Sequence, residues 1–426
     1  MRAISGWNIG YRGGENFVRI AAAVLCGVVG MGGVGAAGAR GDGSVGFAGV
    51  VTPPALDRWM YPFGATGARA TASVFTTMGS TFSGFDDRDA EYVLGFDTGA
   101  VVPAGRPWMS YRVKSVRIAA RVSVGEGTPG FVFDGTSDAA GTYVAAGGAG
   151  QVEDGDAGRP IEMFACGYRG VKPGTGMPWS AANFTQDSPF ATEAPEGYAR
   201  GNRSVYPVDF GGGGGSGGGL AARDVSNNVT GAGGPFDARA LAVGQAYLKL
   251  AGGGSEAIAA GAAVPDNAEI VFVISGSALN AGEMEYVQRG LSAGRVNLLI
   301  TSLHSASDFG SGPVVYPVFA TRFNPLYAGP RLEVEVRFCP ADIADDQGSP
   351  LGTGGVGVGN SGVNEGDYNA FFNTFFTRQE AGSPADIADD QGNALGTGGI
   401  GVGNSGVNEG DYNLFFNSFF SGCDAI

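Results

Sequence analysis

Arg331-Leu332-Glu333-Val334-Glu335-Val336-Arg337-Phe338 alternates charged and apolar residues without a break. Successive side chains of a β-strand point to opposite faces, so this octet predicts a strand with one buried and one wet face. A longer stretch of the same kind is Tyr111–Val124, where Val113, Val116, Ile118, Val122 and Val124 are mixed with Arg112, Lys114, Arg117 and Arg121. Shorter apolar runs are Tyr92–Phe96, Gly130–Phe133, Ile161–Ala165, Val205–Phe210, Glu269–Ile274, Val296–Thr301 and Val314–Ala320. Gly, Pro, Asp and Ser clusters separate them, as turns separate strands. Ala281–Leu291 reads as a helix, with Met284, Val287 and Leu291 on one face. Many short strands joined by glycine-rich connections predict a mainly β body over residues 40–338, an antiparallel β-sandwich of jelly-roll kind.

Composition limits the function. Of 426 residues, 78 are glycine and 43% are hydrophobic, too apolar for a disordered polyelectrolyte. The net charge of −15 argues against nucleic acid, which needs a basic footprint. A single histidine, His304, excludes catalytic pairs and metal sites that need two. Residues 339–426 carry nine Asp and three Glu against one basic residue, Arg378, a net of −11. The body is therefore almost neutral and the tail strongly acidic.

At the amino terminus Arg2, Arg12 and Arg19 precede an apolar run from Ile20 to Val34, then Ala37-Gly38-Ala39. That order of charge, apolar core and small residues predicts a signal peptide over residues 1–39 and a secreted or cell-surface chain. The run is shorter than the ~20 residues a membrane helix needs, so the mature chain is expected to lack a transmembrane segment. Export permits disulfides. Cys339 and Cys423 bracket the acidic tail, and a bridge between them would close it; Cys166 reads as a buried free thiol.

Within the body, Gly211–Leu220 reads GGGGGSGGGL, a flexible insert in one loop. Asp86, Asp87, Asp89 and Glu91 supply enough carboxylates for a glycosidase, but a turn of this kind is more simply a solvated loop or a bound cation site. Ser302, His304 and Asp308 offer the letters of a triad on one loop, where adjacency argues against triad geometry. Trp59, Trp108 and Trp179 could stack on sugar rings or fill the core. Three glycosylation sequons begin at Asn183, Asn202 and Asn228.

The opening Asp57-Arg58-Trp59-Met60-Tyr61-Pro62-Phe63 and then Asp89-Ala90-Glu91-Tyr92-Val93-Leu94-Gly95-Phe96-Asp97 resemble the start of DNRLRE-type carbohydrate-binding jelly rolls. Tyr316–Pro325 followed by Pro330–Val336 resembles the final strand pair of the same modules. The resemblance implies a jelly roll that binds or displays polysaccharide.

The tail is a duplication. Pro340–Gly348 returns as Pro384–Gly392, and Gly359–Asn369 returns as Gly403–Asn413, so repeats occupy 340–376 and 384–420. Asp342, Asp345 and Asp346 crowd one loop, with Asp386, Asp389 and Asp390 matching them. Three carboxylates this close repel one another unless a cation sits among them, and oxygen ligands on a turn suit calcium. Tyr368, Phe371, Phe372, Phe375 and Phe376 give the following helix an aromatic face, repeated as Tyr412, Phe415, Phe416, Phe419 and Phe420. Asn364 with Asp367 three residues on also reads as a helix N-cap.

These loops and helices resemble dockerins, closest to the GC-type dockerin-like domains at the carboxyl ends of secreted bacterial proteins. The resemblance implies a small loop-rich helical module with two calcium ions. Their ligands would be Asp342, Asp345, Asp346, Asn364 and Asp367, then Asp386, Asp389, Asp390, Asn408 and Asp411. It implies a cohesin-like or other cell-surface protein as partner, met by Glu365 and Tyr368 and by Glu409 and Tyr412. Ala344 stands where a second ligand is usual, and a glycine-rich insertion splits each loop. The sequence thus predicts a secreted, non-catalytic anchoring protein whose body displays or binds carbohydrate. The alternatives are a polysaccharide-degrading hydrolase or lyase on the same tail, or a tail that serves as a sorting signal.

Overall fold

In the computed structural model of the chain, Arg331–Phe338 is a strand whose Leu332, Val334, Val336 and Phe338 are buried while Glu335 is exposed. The structure describes residues 45–61, 68–78, 86–106, 108–125, 130–168, 205–211, 222–231, 233–306, 315–351, 362–377, 380, 383–395 and 404–421. The expected signal peptide at 1–39, nearly all of the glycine-rich insert, Trp179, Asp308, Cys423 and the sequons at Asn183 and Asn202 lie outside them.

The strands are β1 (Val45–Val51), β2 (Leu56–Met60), β3 (Thr71–Ser73), β4 (Glu91–Asp97), β5 (Tyr111–Arg121) and β6 (Phe131–Asp134). Next come β7 (Arg159–Tyr168), β8 (Val205–Asp209), β9 (Arg223–Asp224), β10 (Ala242–Val243), β11 (Gln245–Lys249) and β12 (Ser255–Ala257). The last are β13 (Ala263–Val264), β14 (Glu269–Ser275), β15 (Arg295–Ser302), β16 (Val318–Ala320) and β17 (Arg331–Phe338). The described α-helices are α1 (Ala281–Ser292), α2 (Glu365–Phe375) and α3 (Glu409–Ser421), and short 3-10 turns lie between some of the strands. No described helix is long and apolar enough to cross a membrane.

One sheet runs β1-β17-β5-β14-β11-β12, antiparallel throughout. The second runs β13-β6-β7-β15-β4-β2, with β8 and β10 also on β7 and β9 beyond β8; its β6–β7 pair is parallel. The fold is mainly β, as expected. Val116, Ile118, Ile270, Phe272, Leu332 and Val334 from the first sheet share one buried cluster with Tyr92, Leu94, Phe96, Met163, Leu298 and Ile300 from the second. Removing those inner faces from water is the main drive that holds the sheets together.

The irregular alternation of Tyr111–Val124 has a local cause. On β5 the register against β17 passes from Ser115 opposite Glu335 to Val113 opposite Val336, leaving Lys114 as a bulge. Val113 and Val116, three apart, consequently both point inward. Gly276 lies against this bulge: a Cβ there would fall 1.8 Å from the Val113 carbonyl oxygen. On the outer face, Glu269 accepts from Arg331 at 2.6 Å and Lys249 at 2.9 Å, and Arg117 meets Glu333 at 2.8 Å. Burial pushes the Glu269 carboxyl up, but its two cationic partners outweigh that and hold it below its ordinary range.

Candidate functional site in the duplicated tail

Each tail repeat begins with a turn built by an aspartate. Asp345 Oδ1 accepts the amides of Gln347 at 3.0 Å and Ser349 at 2.9 Å, and Gly348 takes φ 81 to close the turn. In the second repeat Asp389 Oδ1 accepts from Gln391 at 3.0 Å and Asn393 at 2.9 Å, again with Gly392 at φ 81. The helix then returns to this turn. Asp367 Oδ1 accepts the amides of Ile343 and Ala344 at 2.7 and 2.8 Å, and its Oδ2 accepts that of Asn364 at 2.8 Å. Asp411 does the same for Ile387, Ala388 and Asn408 at 2.6, 2.7 and 2.8 Å.

Asn364 caps α2 and Asp367 completes the capping box while strapping the loop to the helix. Gly366 is required because a Cβ there would lie 2.2 Å from the Asp345 carbonyl oxygen; at Gly410 the matching distance is 2.4 Å. Glu365 and Glu409 are exposed. Burial pushes the Asp367 carboxyl up to about 6, its amide bonds oppose this, and nearby Asp342 adds to the rise. Burial also raises Asp411.

The two helices meet across a pseudo-two-fold axis. Phe371 and Phe415 stack at 4.0 Å, Tyr368 meets Phe419 at 5.9 Å, and Phe375 meets Tyr412 at the same 5.9 Å. The start of each helix therefore faces the end of the other. One side of the pair stays open. Tyr368, Phe372 and Phe376 form one row of rings, Tyr412, Phe416 and Phe420 form another, and Phe372 joins Phe416 at 5.8 Å. Phe376 is 71% exposed and Phe420 77%, which marks this face as an unusual apolar patch.

The loop side of the tail faces the body. Arg112 of β5 pairs with the buried carboxylate of Asp342. Arg106 donates to the Leu395 carbonyl and lies 3.9 Å over the Phe338 ring. Cys339, buried at this junction, is disulfide-bonded; Cys423, its expected partner, lies outside the described residues.

The predicted ligands are thus brought together in pairs. Asp346 Oδ1 accepts from Asn364 Nδ2 at 2.7 Å, and Asp390 Oδ1 accepts from Asn408 Nδ2 at 2.9 Å, so the two halves of each repeat do meet. Asp386 accepts from Asn404 at 3.0 Å. Among the described residues no three carboxylates of the tail gather at the spacing of one shared ion.

One trio elsewhere does gather: Asp134, Asp138 and Asp156 present oxygens within 4.8 Å of one another. Its one local signal in the sequence is the acidic stretch Asp154-Gly155-Asp156, since Asp134 and Asp138 come from a separate segment. Arg159 already stands beside it, 2.9 Å from Asp138 and 2.5 Å from Asp154, while Asp134 accepts from the Thr136 amide and hydroxyl.

The other body candidates are latches of the fold. Asp87 accepts the amides of Val229 and Thr230 at 2.7 and 2.8 Å, Asp89 accepts from Thr77, and both are buried. Ser302 Oγ lies 2.6 Å from His304 Nδ1 and 2.8 Å from the Pro160 carbonyl, fully enclosed, while His304 Nε2 bonds the Val132 carbonyl. Guanidinium groups cover a face of Trp59 (Arg69, 4.5 Å) and of Trp108 (Arg289, 4.5 Å). Asn228 is buried between Arg88 and the Phe236 carbonyl, out of reach of a glycan. Cys166 is a buried free thiol. No family model, no curated protein and no solved structure matches this chain.

Proposed function

We propose that the chain is an exported, non-catalytic protein in which the duplicated, dockerin-like tail attaches a jelly-roll body to a cell-surface protein of cohesin-like kind. The observation that carries this reading is the open aromatic face of α2 and α3. Aromatic rings concentrated at a solvent face are the usual anchors of protein interfaces. The exposed acids Glu365 and Glu409 and the tail's net of −11 favour a basic partner surface. Body and carbohydrate stay linked in this reading through the resemblance of the opening and closing strands.

Benzoylphenylalanine placed at position 376 or 420, in cells that secrete the chain, tests the docking. Irradiation should join each position to the same surface protein, while position 273 on an exposed strand of the body should not. Conjugates absent from both tail positions, or equal from all three, would sink the reading. We also carry two calcium ions from the resemblance, at the exposed edges Asp346–Asn364 and Asp390–Asn408. Asp367 and Asp411, each filled by three amides, are left out of that set. Calorimetry of the full chain with calcium, before and after chelation, decides it: no heat of binding removes the ion.

A further inference from the structure

Between body and tail lies a cleft of about 510 Å³, inside the ~300–1,000 Å³ range of small-ligand sites and at the kind of boundary where such sites form. Pro103, Arg106 and Phe338 form its body wall, and Ile343, Ile387 and Leu395 its tail wall. The two isoleucines occupy equivalent places in the two repeats, so the cleft sits across the duplication.

The lining is mixed: beside its aliphatic side chains stand the carboxylates of Asp342 and Asp386, the hydroxyl of Ser383 and one cation, Arg106. Arg106 makes one side-chain hydrogen bond, to the Leu395 carbonyl, and among the described residues no carboxylate forms an ion pair with it. A guanidinium carries five N–H donors, and enclosed arginines are almost always paired. Of the carboxylates on the cleft, Asp342 pairs with Arg112, while Asp386 accepts from the Asn404 amide and, without an ion-pair contact, helps to keep Arg106 charged. Burial pulls Arg106 down to about 10, so it is still a cation at neutral pH. Ser383, on the same cleft, has a buried hydroxyl oxygen with no hydrogen-bond partner. Buried polar atoms are rarely left so, and both groups would be satisfied by one acceptor in the cleft.

We propose that this cleft binds an amphiphilic carboxylate, its head on Arg106 and Ser383 and its alkyl chain along Ile343, Ile387 and Leu395. Arginine suits such a head group because its planar fork matches a carboxylate. Neither the aromatic face nor calcium enters this assignment.

The test is calorimetric titration of the full chain with decanoate, below its micelle concentration, against decanol as the neutral probe. Decanoate should bind saturably, and about tenfold or more tighter than decanol. Arg106→Met should weaken decanoate about tenfold while leaving decanol unchanged. Ala104→Trp, at an exposed residue on the cleft wall, should block both probes. Phe376→Ser with Phe420→Ser should change neither. Absence of decanoate binding, equal affinity for the two probes, or binding that survives Ala104→Trp overturns the proposal. So does binding lost with the aromatic rings. Were Arg106→Met to misfold, the Ala104 variant and the two-probe comparison still decide.

Discussion

The carboxylate of Asp367 joins a loop and a helix by accepting three main-chain amides, and Asp411 repeats the arrangement. Asparagine keeps one acceptor but turns a donor toward the amide of the capping residue. Asp367→Asn should therefore lower the stability of the tail by about 1–3 kcal/mol, and Asp411→Asn by a similar amount. Urea unfolding followed by hydrogen exchange of the Ile343 and Ile387 amides measures both. His304 sets a different kind of limit. Burial holds its pKa down to about 4, so the ring is neutral in the fold, whereas the unfolded chain protonates near 6.5. Its contribution is whole above about 6.5 and falls away as the pH drops toward about 4, by up to about 3 kcal/mol. The expected result is a steeper acid loss of stability in the wild-type chain than in His304→Gln, read from unfolding midpoints at stepped pH.

Among the elements, the stacked pair Phe371 and Phe415 is the hinge of the tail's small core. Truncation of either to alanine should cost about 3–5 kcal/mol. A double-mutant cycle should leave a coupling of about 0.5–1.5 kcal/mol, because each ring's main partner is the other. β17 was legible letter by letter, since a half-wet strand writes its two faces into alternate residues. β4 was less so: Glu91–Phe96 is buried on both faces, and its alternation vanishes with the solvent that would have imposed it. The bulge at Lys114 showed in the sequence only as a slip of phase, because the partner that creates it, β17, lies some two hundred residues away. In the tail, Asn364 and Asp367 were legible as a cap, a contact within one turn. The strap from Asp367 to Ile343 was not, because it spans 24 residues and a glycine-rich insertion.

At the scale of the whole molecule, two arginines of the body reach the tail, one at each repeat, Arg112 at Asp342 and Arg106 at the Leu395 carbonyl. Neither contact could be read from spacing, since 230 residues separate Arg112 from Asp342. Removing the guanidinium leaves a buried carboxylate without its cation, so Arg112→Ala should weaken the junction by about 3–5 kcal/mol. Faster amide exchange at Ile343 and Ala344, with β17 unchanged, is the expected signature. Loss of protection throughout β17 would instead show that the arginine supports the sheet.

The pseudo-two-fold packing of α2 against α3 has a consequence for assembly. A surface that meets its own copy about a dyad is self-complementary, the defining property of a homodimer interface. The tail is a dimer whose two protomers share one chain, and the 33 residues between Phe375 and Glu409 replace bulk concentration with an effective concentration on the order of mM. A single repeat freed from its twin would associate only as its own concentration allowed. Duplication therefore makes the paired aromatic face independent of protein concentration.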